Sequence, residues 1–198
     1  MAPVKVDPSR IHEFADAAAF YAWLGKHHHS EDEVWIKIHK VGSGLESISP
    51  MEAIEVALCW GWIDAIRKGH DEKSFLQRYT PRGKKSTWSQ INVDNVARLI
   101  EEGRMTEHGL RQVEAAKADG RWDRAYNSKT MTIPDDLQAA IDAEPDASAM
   151  LATLSAQNRF ALAFRMHQTK TEAGRSKKIT AFVDMLKRGE TIYPQGKK

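Results

Sequence analysis

The chain has 198 residues, of which 29 are lysine or arginine and 27 are aspartate or glutamate, so its formal net charge is +2. With 41% hydrophobic residues, this composition excludes a polybasic protein of the histone type and an acidic disordered chain. The single cysteine, Cys59, excludes an intramolecular disulfide and a zinc or iron–sulfur site built from cysteines alone.

The distribution of apolar residues predicts a cytoplasmic protein. No stretch approaches the roughly 18 consecutive apolar residues that a membrane-spanning helix needs. The first residues also lack the apolar segment of a signal peptide. We therefore expect no membrane span and a location in the cytoplasm.

Helices and strands are predicted to alternate in the N-terminal half. Apolar residues at helical spacing predict a helix over residues 16–26, and alternating apolar residues predict a strand over residues 33–40. The start signal Ser49-Pro50-Met51-Glu52 predicts a second helix. This helix is apolar on nearly all sides as far as Trp60, so we expect it to be buried.

Two further strand-like segments, residues 62–67 and 74–79, are joined by a polar, turn-rich connector. They predict an antiparallel hairpin, which makes a small sheet together with residues 33–40. From residue 92 onward the apolar spacing is helical. The predicted fold class is therefore α+β, with a small antiparallel sheet packed with helices in the N-terminal half and a helical C-terminal half.

The chain has no internal repeat and no low-complexity tract. A domain boundary, where there is one, is expected within residues 127–132. We predict an α+β domain over residues 1–126 and a helical region over residues 133–198, which either stands as a second domain or packs with the first as one unit.

The strongest candidate for a binding site is a basic cluster within residues 78–89. Its cations fall within eight residues without an intervening acid: Arg78, Arg82, Lys84 and Lys85. Ser86 and Ser89 add hydroxyls near the start of the next predicted helix, and Trp88 adds a flat aromatic face. Such groups bind phosphates and carboxylates, so we expect a small anionic ligand here. The alternative is a solvated surface loop in which Trp88 is an anchor and the serine only a helix cap.

Trp62 and Asp64 are expected on the same face of the first hairpin strand, because side chains alternate along a strand. Asp64 beside an arginine would be a structural partner with a lowered pKa. In an apolar pocket beside Trp62 it would instead be a general acid with a raised pKa, which makes Asp64 the candidate catalytic residue. The predicted ligand-binding set is Trp62, Arg78, Arg82, Lys84, Ser86, Trp88 and Ser89.

No metal or cofactor site is predicted. His27, His28 and His29 are adjacent on a predicted helix, where neighbouring side chains point about 100° apart and do not converge on one ion. The other histidines lack zinc-binding spacing, and no glycine-rich phosphate loop of the NTPase type is present. Cys59 is expected to be a buried hydrophobic residue rather than a nucleophile.

The net charge hides an asymmetry along the chain. Residues 159–198 carry ten basic and three acidic residues, a net +7, whereas residues 1–158 carry 19 basic and 24 acidic residues, a net −5. Arg175, Lys177 and Lys178 are candidate contacts for nucleic acid, an anionic lipid surface or a protein partner. The alternative is a solvated helix, because the chain carries no recognisable DNA-binding module.

Three sequence runs, within residues 52–64, 79–92 and 99–122, point to a family, together with the stretch Arg175-Ser176-Lys177-Lys178-Ile179. In their residues and in their order along the chain, they resemble the YdeI/OmpD-associated family of bacteria, also called the bacteriocin-protection family. The resemblance extends over nearly the whole chain. The resemblance implies a bacterial protein linked to tolerance of bacteriocins, cationic peptides or envelope stress. It carries over no functional residue.

Two function classes follow from these observations. In the first, the chain is a ligand-binding protein or enzyme with a small anionic ligand at the hairpin and the basic cluster. In the second, it is a non-catalytic interaction protein that contacts nucleic acid or a protein partner through its basic C-terminal helices. The residues favour the first slightly, and they set neither a reaction nor an oligomeric state.

Overall fold

The structure, a computed structural model, describes residues 4–196. These residues form two compact units that divide between Ala125 and Tyr126. The first unit contains β1 (Ile11–His12), α1 (Ala17–His27), β2 (Val34–His39), α2 (Pro50–Cys59), β3 (Trp62–Gly69), β4 (Ser74–Pro81), α3 (Gln90–Glu101) and α4 (Glu107–Ala118). The second unit is helical, with α5 (Asp135–Asp142), α6 (Pro145–Thr153), α7 (Ala156–His167) and α8 (Glu172–Lys187).

Local sequence signals set where the first two helices begin. The Asp16 carboxylate accepts a hydrogen bond from the backbone N–H of Ala19 at 2.8 Å and caps α1. At α2, the side chains of Ser49 and Glu52 each accept the other residue's backbone N–H, and Pro50 is the first helical residue. Both predicted helix starts are confirmed, because a cap depends on only four neighbouring residues.

The strands form one sheet in the order β1-β2-β4-β3. β4 pairs antiparallel with both β2 and β3, so the predicted hairpin and its pairing with the earlier strand are confirmed. β1 adds a two-residue parallel pair to β2, which makes the sheet mixed. A strand of two residues shows no alternation, so this edge could not be predicted from its own sequence. The α+β fold class is confirmed.

α2 lies between two hydrophobic clusters of the first unit, as its apolar sequence predicted. Ala53, Val56 and Ala57 belong to a cluster with α1 and one face of the sheet. Leu58 and Cys59 belong to a second cluster with α3 and α4. The end of α2 therefore packs on both sides, and β3 starts at Trp62 after two intervening residues.

The second unit has a hydrophobic cluster of its own, to which α5, α6, α7 and α8 all contribute. Leu137, Ile141, Leu162 and Met166 are fully buried in it. Within residues 4–196, no helix combines the length and the apolar character needed to cross a membrane.

Candidate functional site

The β3–β4 hairpin brings Asp64 and Tyr79 together. The two residues pair directly across the strands, so their side chains lie on the same face of the sheet. Trp62, two residues before Asp64, shares that face and is 1% exposed, with its ring against the edge of Trp23 at 6.4 Å. The predicted common face of Trp62 and Asp64 is thus where the sheet meets the helices.

Burial raises the pKa of Asp64, while its own backbone N–H and the positive charges of Arg82 and Arg67 lower it. A carboxyl group in this environment keeps its proton to a higher pH than an exposed aspartate. It can then donate a hydrogen bond rather than only accept one. The two environments predicted for Asp64, a neighbouring arginine and an apolar pocket, are both present. Desolvation has the larger effect on the pKa of Asp64.

Tyr79 was not among the predicted site residues. Its side chain is fully buried, and its hydroxyl has no hydrogen-bond partner among residues 4–196. Burial raises the pKa of this hydroxyl, and the nearby Asp64 raises it further. The pairing register of the hairpin was the only sequence signal that could have placed Tyr79 beside Asp64.

Arg82 is built into the loop that follows β4. It is 5% exposed, and its guanidinium carbon lies 3.6 Å from the centre of the Trp88 ring, a cation–π contact. Its Nη1 donates to the Thr87 carbonyl at 3.2 Å, and its backbone N–H donates to the Gly61 carbonyl at 3.0 Å. Arg82 therefore ties residues 82–89, here called the 82–89 loop, to the start of β3.

The rest of the 82–89 loop is held by its own hydroxyls and by a distant arginine. Ser86 Oγ accepts the backbone N–H of Gly83 at 3.0 Å, and Ser89 Oγ accepts that of Asn92 at 3.3 Å as the N-cap of α3. The Ser86 carbonyl accepts a hydrogen bond from Nη1 of Arg121 at 2.9 Å. Arg121 is 35 residues away in sequence, so no local pattern could have added it to the site.

The basic cluster of the sequence divides in space. Arg78 lies on the sheet face opposite Asp64 and Tyr79, where it forms an ion pair with Glu33. Lys84 and Lys85 are exposed on the 82–89 loop, and neither forms an ion pair with any residue in the range 4–196. The structure thus brings Arg82, Lys84, Ser86, Trp88 and Ser89 together and places Arg78 elsewhere.

Two cavities of the structure lie away from this loop. One, of about 610 Å³, is lined by residues between Ala15 and Glu52, and the other, of about 430 Å³, is lined by residues between Ser128 and Phe160. Neither is lined by Asp64, Arg82 or Trp88. The 82–89 loop therefore offers a surface rather than one of these cavities.

Cys59 and the histidines have structural surroundings. Cys59 is fully buried, and burial raises the pKa of its thiol to about 11, so it lacks the thiolate character of a nucleophile. His27 stacks on Trp23 at 4.8 Å, whereas His28 contacts Trp60 and His108. In the described part of the chain, no three histidine, cysteine, aspartate or glutamate side chains are grouped to hold a metal ion.

The basic residues of α8 are partly occupied by contacts within the second unit. Arg175 makes a two-pronged ion pair with Asp136, with Nη2 at 2.7 Å from Oδ1. Lys178 Nζ donates to the Arg165 carbonyl at 3.2 Å. Of the three predicted contacts for nucleic acid or a partner, Lys177 is the exposed one without such a bond in residues 4–196.

Comparison with known families divides the chain at nearly the same place as its fold. The family described as "Domain of unknown function (DUF8412)" matches residues 12–112, which is half of the chain. The chain belongs to this family. The family described as "Bacteriocin-protection, YdeI or OmpD-Associated" matches residues 130–189, inside the second unit. No curated protein and no solved structure gives a significant match.

The second match confirms the predicted family resemblance over residues 130–189, and not over nearly the whole chain as predicted. This match lies inside the second unit and includes the stretch 175–179. The runs within residues 52–64 and 79–92 lie in the DUF8412 match instead. The DUF8412 region therefore contains the hairpin, Asp64 and the 82–89 loop.

Proposed function

We propose that this chain binds a small anion, carrying a phosphate or carboxylate group, at the 82–89 loop. The observation that carries the proposal is the charge of that loop. Lys84 and Lys85 are exposed and form no ion pair within residues 4–196. Arg82 stabilises the loop by stacking on Trp88, and Arg121 stabilises it by a hydrogen bond to the Ser86 carbonyl. Free cations on a fixed backbone are suited to an anionic ligand.

The rigidity of the loop strengthens the proposal. Ordering a flexible loop around a ligand costs conformational entropy, which a loop already ordered by the protein does not lose again on binding. The stack of Arg82 on Trp88, the Ser86–Gly83 bond and the Ser89 cap all order the 82–89 loop. The start of α3 at Ser89 adds a partial positive charge.

The predicted ligand-binding residues then have different roles. Lys84 contacts the anion, and Ser86 lies beside it in the loop. Arg82, Trp62 and Trp88 are at most 5% exposed, so they support the loop from the interior. Asp64, with its raised pKa, lies near Arg82 and would either orient the bound anion or exchange a proton. Arg78 has no part in the site, because its charge is paired with Glu33 on the other sheet face.

The alternative function, contact with nucleic acid or a protein partner through the basic C-terminal helices, stays a prediction. Arg175 is already paired with Asp136, and Lys178 bonds a backbone carbonyl. These contacts remove part of the charge that such a partner would meet. The 82–89 loop has no comparable ion pairs at Lys84 and Lys85 within residues 4–196.

The proposal is tested by anion-dependent stabilisation of the full chain. We expect phosphate, pyrophosphate or citrate to raise the melting temperature above that in sodium chloride of equal ionic strength, because a ligand that binds only the folded state stabilises it. The double variant Lys84→Gln/Lys85→Gln should lose this rise. Lys177→Gln/Lys178→Gln removes the same charge from α8 and should keep it.

Two outcomes would overturn the proposal. The first is that no anion raises the melting temperature above the chloride reference. The second is that both double variants lose the rise equally, since the effect would then follow net charge rather than the loop. Loss in the α8 variant alone would favour the C-terminal helices.

A further inference from the structure

The second unit contains a cavity of about 430 Å³ that is distinct from the 82–89 loop. It is lined by the segment before α5, by Gln138 of α5, and by the first two turns of α7 with Arg159 and Phe160. Its volume lies in the range of small-molecule sites, roughly 300–1,000 Å³. All its lining residues belong to the second unit and fall within or next to the bacteriocin-protection match.

One wall of this cavity is apolar and held in place. Met131, Ile133 and Phe160 contribute its apolar side chains. Phe160 stacks on Phe164 at 5.7 Å, and its ring lies 6.2 Å from that of Tyr126, so an aromatic cluster fixes its orientation. A hydrocarbon or aromatic group can therefore pack against Phe160 without first ordering that ring.

The same cavity is lined by the positive charge of Arg159, an exposed residue whose guanidinium is oriented by two hydrogen bonds. Nη2 of Arg159 donates to the Leu151 carbonyl at 2.7 Å, and Nε donates to the Leu154 carbonyl at 3.4 Å, at the end of α6. A guanidinium has five N–H donors, so these two bonds orient the group and leave other donors for a ligand. No carboxylate within residues 4–196 pairs with Arg159.

We infer that this cavity binds a small amphipathic carboxylate. Its apolar part would lie against Met131, Ile133 and Phe160, and its carboxylate would bond Arg159. A planar carboxylate fits two parallel N–H groups of a guanidinium, and one cation balances its single charge. A phosphate would bring more charge than one arginine balances, whereas a neutral apolar ligand would leave the charge of Arg159 unused.

The experiment compares carboxylates with alcohols of the same length on the full chain. The probes are butanoate, hexanoate and octanoate, with 1-hexanol as the uncharged reference, followed by calorimetry and by backbone amide shifts in NMR. We expect the carboxylates to bind, with affinity rising about fourfold per methylene until the cavity is full. The amide shifts should fall on residues 128–160.

Two variants of α7 separate the proposed contact from a general loss of charge. Arg159→Gln should weaken hexanoate binding about tenfold or more and leave 1-hexanol unchanged, because only the charged partner is lost. Arg165→Gln removes an exposed charge from the same helix and should change neither. If Arg159→Gln unfolds the unit, Arg159→Lys keeps the charge without the fork and should weaken hexanoate alone.

The inference is overturned if no carboxylate binds, or if Arg159→Gln and Arg165→Gln have the same effect. It is also overturned if the amide shifts fall on residues 82–89 and disappear in Lys84→Gln/Lys85→Gln. That last result would support the anion site of the first unit, so failure at this cavity and failure at the loop are distinguishable.

Discussion

Arg78 and Arg82 stand four residues apart in sequence and have opposite environments. Arg78 is on a strand, where the alternation of side chains turns it to the face that carries Glu33. Arg82 follows the strand, is buried, and stacks on Trp88. The sequence therefore showed that basic residues are concentrated in this segment. Which of them share a surface depends on where β4 ends, and this could not be predicted from their spacing.

His28 and His108 form a second residue-scale feature, which the sequence did not predict. Their ring centres are 4.0 Å apart, and the ring of Trp60 lies 4.8 Å from His28 and 5.7 Å from His108. His28 Nδ1 lies 2.9 Å from the Leu24 carbonyl and so donates to it. Arg111 donates to Nδ1 of His108, which leaves Glu107 and His29 as the other charged or titratable neighbours. The bond from Arg111 suits a neutral His108, because a protonated Nδ1 could not accept it.

Burial, then the proximity of His28 and Arg111, lowers the pKa of His108. In the unfolded chain a histidine titrates near pH 6.5, so between the two pKa values the unfolded state binds the proton more tightly. The contribution of His108 to stability is therefore fully present above about pH 6.5 and is lost as the pH falls through the folded-state pKa.

We expect the melting temperature to fall between pH 7.5 and pH 5, and to fall less in His108→Gln, which cannot take up this proton. An unchanged slope in His108→Gln would contradict the assignment.

At the scale of elements, α4 packs onto the end of α2 through a glycine contact. A Cβ on Gly109 would lie 2.7 Å from the Leu58 carbonyl oxygen and closer still to that of Cys59. Thr106, the cap of α4, also donates its hydroxyl to the Cys59 carbonyl at 2.6 Å. The start of α4 therefore lies directly against the last carbonyl groups of α2. This close approach leaves no room for a side chain at Gly109.

This contact predicts opposite effects of one substitution at two helical glycines. Gly109→Ala should destabilise the fold by about 1–3 kcal/mol or more, because backbone atoms would have to move apart. Gly25→Ala, in α1, places its Cβ 3.6 Å from Trp60, an ordinary contact, and should stabilise by up to about 1 kcal/mol through helix propensity. Urea unfolding of both variants measures the difference. A neutral Gly109→Ala would show that α2 and α4 are not in this close contact.

At the scale of the whole molecule, two family matches fall on the two units. Residues 12–112 lie in the first unit and residues 130–189 in the second. Each described hydrophobic cluster also lies within a single unit. These observations support the proposal that residues 1–126 and 133–198 are separate folding domains.

The proposal predicts that both fragments fold when produced alone. Circular dichroism should show cooperative unfolding of each, with the 66-residue C-terminal fragment the less stable because a small domain buries a smaller share of its surface. A fragment of residues 1–90 lacks α3 and α4, exposes the second cluster of the first unit, and should not fold. An unfolded 1–126 fragment would refute the division.

The sequence by itself determined the local features of this protein. Helix starts at Asp16 and Ser49, the hairpin, the buried α2 and the family resemblance all depend on neighbouring residues or on short periodic patterns. The charge of the 82–89 loop was visible for the same reason. These features could be predicted because hydrogen bonds and burial act over a few residues there.

Only the tertiary structure decided which distant residues meet. The pairing of Asp64 with Tyr79, the bond from Arg121 to Ser86 and the contact of His28 with His108 join residues between 15 and 80 positions apart. Nothing in a linear sequence sets these distances, because strand register and helix packing depend on how the whole core closes. The same closure turned Arg78 to Glu33 and left Lys84 and Lys85 to carry the proposed anion site.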